Sequence, residues 1–468
     1  MNVAKPSDRL TRRKFLGQTT ARVAVTTVVG PALLSSGAQA AEPAREMIGI
    51  QVGSISFVDE GVEPVLDIFQ ERGAVNTIFL TTFTYGRGLG GRQIPGQPFP
   101  DHGKQESDEK TFHGGNYATP HPEFYKRTVL QQTRAPDHGN LDIVAAVLSG
   151  ARKRGMKLFC SIEDVFRSDV PGVKEVTEID LQGRHTATSL CLFHPDVRAF
   201  WIGLATDLCK SYDIDGILFF NERNGPLLNA LGASHAQSIA SSRVTCFCSH
   251  HQKAARERGI NFDRAHEGYL KLDQFVRNAL AGKRPSNGYF VEFWRLLVEY
   301  PEIILWDRLF DEGKHQVLAE VNAAVKTVGQ RLKCGGERYA NFIRNIGSTV
   351  FGDVPKDELL RFNNHLLDYA SEAELGELAA AGLSPDYVAR ETRRALEGVR
   401  GKCKILPGID IGIPTGRNSR KALPGDTYAA TAAALKTGAD GVIFSRKYSE
   451  MRLENLEAAG RAVKEFKA

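Results

Sequence analysis

The segment 194–227, HPDVRAFWIGLATDLCKSYDIDGILFFNERNGPL, carries in one piece the pattern that decides the fold. Its first part, to Tyr212, reads as a helix. Gly216-Ile217-Leu218-Phe219-Phe220 then forms an apolar run of strand length, the kind that parallel sheets bury on both faces. The run stops at Asn221-Glu222-Arg223, and Gly225-Pro226 turns the chain. A buried strand that ends in this way presents either a catalytic acid at a strand mouth or an ordinary Glu–Arg pair closing the strand.

The same alternation recurs on both sides. MIGIQVGSI (47–55) reads as a first strand and EPVLDIFQERG (63–73) as its helix. NTIFLTTF (76–83) is a second strand, and the helix LDIVAAVLSGARKRG (141–155) leads to a third, MKLFCSIEDVF (156–166). Near the C-terminus, CKILPGIDIG (403–412) and DGVIFSRKY (440–448) are strands separated by the helix PGDTYAATAAALKTGA (424–439), and LENLEAAGRAVKEF (453–466) closes the series. Repeated strand–helix units predict an α/β protein with parallel strands, and the closed solution is a (β/α)8 TIM-type barrel over 45–468. Strands five and six are short of material. Residues 288–330 and 356–400 read as helix, which leaves RLKCGGERYANFI (331–343) and STVFG (348–352). Either those strands are short and irregular, or the barrel is incomplete there, with 331–355 irregular and strands four and seven left as edges. Long insertions follow strand two (84–140) and strand four (224–285), at the end of the barrel that carries catalysis in this architecture.

The N-terminal 40 residues read as a leader and not as fold. Arg12-Arg13 within TRRKFL is a twin-arginine signature, an apolar stretch runs to Leu34, and Ala38-Gln39-Ala40 is a small-residue cleavage site. The expected location is periplasmic or secreted, with the twin-arginine translocase as a partner during export and no membrane anchor. The formal net charge of +5 is misleading, because Lys5, Arg9, Arg12, Arg13, Lys14 and Arg22 stand against Asp8 alone in this leader. The remainder is near neutral, which argues against nucleic acid as a partner.

In a barrel, polar residues at the C-terminal strand ends converge on one cup. These are Gln51 and Ser54, Thr82 and Tyr85, Glu163 and Asp164, Asn221, Glu222 and Arg223, Asp410, and Ser445, Arg446, Lys447, Tyr448 and Glu450. Facing carboxylates suit glycosidic-bond hydrolysis, in which one stays protonated for the leaving oxygen and the other attacks or activates water. Each also has a structural reading: Glu163-Asp164 as a helix cap, Asp410 as the holder of its own turn, and Arg446 with Glu450 as a salt-bridged rim. Cys246-x-Cys248-x-x-His251 offers ligands at metal-like spacing, with Cys191, Cys209 or His250 as a fourth. A structural zinc needs a closed shell of four. Buried metal-free thiols and a disulfide are the alternatives.

Four segments together carry a resemblance: YDIDGILFFNERNGPL (212–227), TCFCSHHQKAARERGI (245–260), PGIDIGIPTG (407–416) and GVIFSRKYSEMRLENL (441–456). Through them the chain resembles bacterial twin-arginine-exported proteins classed as glycoside-hydrolase-like TIM barrels, and more distantly it is similar to family 42 β-galactosidases. That likeness implies Glu222 as general acid/base and Asn221 beside it, and it sets Cys246, Cys248 and His251 at the positions of three zinc ligands. Two departures stand out: His251 replaces a cysteine, and Asp410 stands where the family's nucleophile is a glutamate. The expected function is glycoside hydrolysis by Glu222 and Asp410, with Asn221, Arg223, Glu163, Tyr85, Arg446 and Tyr448 lining a carbohydrate site and no cofactor needed for the chemistry. An inactive barrel that binds glycans is the alternative, and a metal-dependent lyase or isomerase a third.

Overall fold

The computed structural model describes residues 47–85, 90–92, 95, 99–107, 114–220, 223, 225–231, 243–283, 288–331, 341–346, 359–363, 385–412 and 423–467. The chain divides after Arg45 into two units, and the description below concerns the second. Its centre is a set of eight parallel strands: β1 Met47–Val52, β2 Thr77–Thr84, β3 Lys157–Glu163, β4 Gly216–Phe220, β5 Asn341–Ile346, β6 Leu359–Asn363, β7 Lys404–Asp410 and β8 Gly441–Lys447. Each pairs with the next in sequence. β8 also pairs with β1, so the ladder returns to its start.

The expected gap is therefore corrected. β5 and β6 both fall between 331 and 402, and strands four and seven are paired on each side. Sequence reading missed β6 because Leu359-Leu360-Arg361-Phe362-Asn363 sits in a stretch rich in helix formers. Pairing between two parallel neighbours overrides that local preference. The fifth strand falls at the end of the candidate 331–343, whereas the candidate sixth, 348–352, lies outside the described residues.

Strand alternation divides the core into two. Ile48, Ile50, Ile78, Leu80, Leu158, Cys160, Ile162, Ile217, Phe219, Ile409, Val442 and Phe444 face outward into the layer under the helices. Phe79, Phe159, Leu218, Leu406 and Ile443 face inward with Met47 and form an apolar floor. The Phe79 and Phe159 rings stand 5.1 Å apart across adjacent strands. Gly49 makes room for them, since a Cβ there would lie 2.2 Å from the Phe79 ring.

The helices cover this sheet for local reasons. In Pro195–Ser211, His194 accepts a hydrogen bond from the Asp196 amide, Pro195 occupies the first turn, and Val197, Phe200, Trp201, Leu204 and Leu208 make the buried stripe. Asp142 caps Ile143–Lys153 by accepting from the Ala145 amide at 3.0 Å.

The described parts of both insertions are ordered. In the first, Gly115–Asn116 pairs antiparallel with the end of β2. Buried Asp207 holds the loop by accepting from the His121 amide at 2.9 Å and the Tyr125 hydroxyl at 3.0 Å. The second packs Phe247, Tyr269 and Leu272 against Ile303 and Trp306 of the helix Glu302–Arg331 that follows it. Among the described residues, no helix is long and apolar enough to cross a membrane.

Candidate functional site

With a period of two, residues two and four places beyond the floor share its inward face. On β3 this runs from Phe159 to Ser161 and Glu163, on β7 from Leu406 to Gly408 and Asp410, on β8 from Ile443 to Ser445 and Lys447, and on β1 from Met47 to Gly49 and Gln51. The floor is thus followed by a polar layer and then by two carboxylates and an ammonium at the strand ends. Glu163 and Asp410 stand on strands four steps apart in the ring.

Each of these groups is held by named partners. The Thr84 hydroxyl at the end of β2 donates to Glu163 Oε2. Asp410 Oδ1 accepts from the Gly412 amide at 2.9 Å, the turn-holding role weighed from the sequence. Lys447 is fully buried. Its Nζ donates to the Gly91 carbonyl at 2.7 Å and lies 3.8 Å from Glu450 Oε1, so it ties the first insertion over the end of β8.

Asn221 and Glu222 lie outside the described residues, as does the side chain of Arg446. Three other expected carbohydrate contacts are engaged within the protein. Arg223 is buried between Asp164 and Glu178, with Nη1 3.2 Å from Glu178 Oε1, Nη2 bonded to Asp164 Oδ1, and a further bond to the Leu190 carbonyl. Burial works against its charge, and the two carboxylates more than restore it. Burial likewise raises the Asp164 carboxyl, with Arg223 opposing and Glu178 reinforcing the shift. Tyr448 is fully buried, stacked 4.1 Å from the His102 ring, with its hydroxyl 3.3 Å from Glu60 Oε2. Tyr85 packs against Phe83 and Phe166, and burial pushes its hydroxyl up to about 12.

The cysteine motif forms a separate centre. Cys191, Cys246, Cys248 and His251 are all buried, and their ligand atoms lie within 4.8 Å of one another. Cys191 Sγ is 3.3 Å from Cys248 Sγ and 3.4 Å from His251 Nδ1, and Cys248 Sγ is 3.5 Å from that nitrogen. Bonds of about 2.0–2.3 Å to a tetrahedral zinc place ligands roughly 3.4–3.8 Å apart, so the set fits a closed Cys3His shell. Hydrogen bonds from Cys191 and Cys246 hold the Cys248 thiol far below its usual range, while burial pushes Cys191 and Cys246 up.

Cys191 thus completes the quartet. His250 instead meets His194 edge to face, with ring centres 4.4 Å apart, and Cys209 lies in the main core. The described cysteines are free thiols, so the disulfide alternative does not hold among them. The Ile179 amide donates to Cys246 Sγ at 3.4 Å, and Trp306 Nε1 donates to the Cys246 carbonyl at 3.2 Å. The centre therefore joins the hairpin of strands Thr177–Ile179 and His185–Leu190 to the second insertion and the helix Glu302–Arg331.

That hairpin also connects the centre to the barrel. Leu190, whose carbonyl takes the Arg223 bond, directly precedes Cys191. Thr245, which directly precedes Cys246, donates to Glu178 Oε2 at 2.7 Å. Sequence reading did not find the Arg223–Asp164–Glu178 group, because its members are distant in the chain and Glu178 carries no motif.

No family model matches the sequence, and no curated protein matches it. Solved structures to which the chain is similar include α-L-fucosidase isoenzyme 2 from Paenibacillus thiaminolyticus, at 12% identity and a TM-score of 0.46 over 90% of this chain and 49% of that one. The PgaB (BpsB) glycoside hydrolase domain from Bordetella bronchiseptica is similar at 10% identity and 0.46, over 86% and 94% of the two chains. A β-galactosidase from the psychrophilic Marinomonas ef1 is similar at 12% and 0.47, over 90% and 59%. The chain thus spans about half the length of that fucosidase.

Proposed function

We propose that this chain is an exported glycoside hydrolase built on a complete (β/α)8 barrel, with Glu222 as general acid/base and Asp410 as the second carboxylate. The observation that carries the reading is the shared inward face of Glu163 and Asp410, above an apolar floor and at the end of the ring from which both insertions leave. Glu222 follows β4 directly in sequence. Hydrolysis then needs one carboxyl to protonate the leaving oxygen and an ionised partner to attack the sugar or activate water. Glu163, Asn221 and Arg446 are assigned to sugar hydroxyls, whereas Arg223, Tyr85 and Tyr448 shape the walls behind them.

Zinc, if bound by Cys191, Cys246, Cys248 and His251, has a structural part, because four protein ligands leave no open position for substrate; the lyase or isomerase reading places its metal in the barrel cup instead. Export through a twin-arginine leader ending near Ala40 rests on the sequence alone.

A second reading, a barrel that binds glycans without cleaving them, is favoured by one observation. Asp410 spends one oxygen on its own turn. The metal-loaded protein, incubated with oligosaccharides and aryl glycosides, separates the two. Released sugar supports the hydrolase, saturable binding by calorimetry without product supports the binding protein, and neither result overturns both.

A further inference from the structure

The chain just beyond β4 is held at three points. The Arg223 guanidinium bonds the Leu190 carbonyl and lies 3.2 Å from Glu178 Oε1. The Arg223 carbonyl accepts from Lys314 Nζ at 3.3 Å, and the Leu227 amide donates to Asp307 Oδ1 at 2.9 Å. Gly225 approaches that carboxylate so closely that a Cβ there would stand 2.5 Å from Oδ1.

Every one of these holders also reaches the Cys3His cluster. Leu190 directly precedes Cys191, and Glu178 Oε2 accepts from Thr245, which directly precedes Cys246. Asp307 and Lys314 lie on the helix Glu302–Arg331. On the same helix, Trp306 donates to the Cys246 carbonyl at 3.2 Å, and the Phe310 ring stacks 6.1 Å from that of His251. The four cluster residues come from two stretches of chain, Cys191 and 246–251, and the described cysteines are free thiols. Four metal bonds are therefore the strongest link available between the two stretches.

We propose that metal binding at this cluster is thermodynamically linked to the placement of 223–227, with Glu178 and Lys314 as positioning residues. That Glu222, next to Arg223 in sequence, is the group placed in this way rests on the hydrolase reading above. Closing the shell fixes Cys191 and Cys246 and with them their neighbours Leu190 and Thr245. Those two set the Leu190 carbonyl and Glu178, two of the three acceptors of Arg223, the third being Asp164. Linkage is reciprocal, so whatever holds 223–227 more firmly when metal is bound must also tighten metal binding.

Two measurements on the full chain test this, and neither needs a substrate. Zinc affinity, by competition with a chelator, should fall about tenfold in Glu178→Gln and measurably in Lys314→Met. Arg152→Met, which removes the 2.6 Å pair with Asp215 just before β4, should leave it unchanged. In hydrogen exchange, stripping zinc or making Cys191→Ser should speed the Leu227 amide about tenfold while the amides of β1 and β2 keep their protection. Should Glu178→Gln fail to fold, Lys314→Met carries the affinity test. A chain that binds no zinc overturns the proposal, as does zinc affinity equal to wild type in the folded variants. Leu227 exchange indifferent to zinc, or uniformly faster exchange across the barrel, overturns it as well. Linked affinity and exchange beside an undiminished Glu222→Gln would uphold the linkage and remove the hydrolase reading alone.

Discussion

Replacing Arg223 by methionine tests whether this guanidinium is a strut or a sugar contact. Its side chain is 12% exposed, between Asp164 at 1% and Glu178 at 3%. Methionine keeps much of the volume but leaves two buried carboxylates without their counter-charge. Breaking a buried pair from one side costs about 3–5 kcal/mol. Asp164, already raised by burial with Arg223 opposing, would then take up a proton at higher pH.

Equilibrium urea unfolding should show a lower midpoint with an unchanged slope. Asp164→Asn in the Arg223→Met background should recover part of the loss, because a neutral amide tolerates the site better than an unpaired carboxylate. In the wild type, the raised Asp164 pKa means that the folded state binds the extra proton. Its contribution to stability therefore declines as pH rises from the unfolded value of 3.8 towards the folded one. An Arg223→Met variant that loses less than about 1 kcal/mol, but loses glycan affinity, would refute the strut and return Arg223 to the carbohydrate site.

Other expectations follow from the same geometry. Cys191→Ser should remove one equivalent of metal by elemental analysis, whereas Cys209→Ser, in the core, should leave the content unchanged. Burial pushes the Asp142 carboxyl up, but bonds from Ala145, Thr119 and Tyr212 outweigh it and hold it low. Its contribution is present above the usual 3.8 and disappears as pH falls through the folded value, so Asp142→Ala should cost about 1 kcal/mol near neutrality and flatten the acid limb of a stability–pH curve. Tyr448→Ala should cost about 3–5 kcal/mol through lost packing, and Tyr448→Phe less than about 1.5 kcal/mol. Neither should change the affinity of the remaining folded protein for a sugar if Tyr448 is a wall residue.

Much of the barrel was legible in the sequence because its strands are short apolar runs with abrupt ends. KILPGID and GVIFSRK each place an inward polar residue at or beyond the last apolar one. β6 was not legible, since nothing local distinguishes LLRFN from the helical text around it and only its two strand neighbours make it extended. Three of the four residues of the buried Cys/His cluster were legible from Cys246-x-Cys248-x-x-His251. The fourth member, Cys191, is 55 residues before Cys246 and is brought to the motif by the hairpin that ends beside it. Tyr85, Arg223 and Tyr448 sit at the strand ends as expected, but position along a strand does not say whether a side chain opens to the cup or packs behind it. Burial of all three supports the second.

The most direct test of the central claim compares wild type with Glu222→Gln on two substrates of one sugar, a natural oligosaccharide and its dinitrophenyl glycoside. A general acid matters for a poor leaving group and little for one that departs unprotonated. Loss of about 10²–10⁴-fold on the oligosaccharide, with far less on the dinitrophenyl glycoside and with folding intact, is the result expected of a proton donor at the end of β4. Equal rates for the two proteins on the oligosaccharide would contradict the assignment.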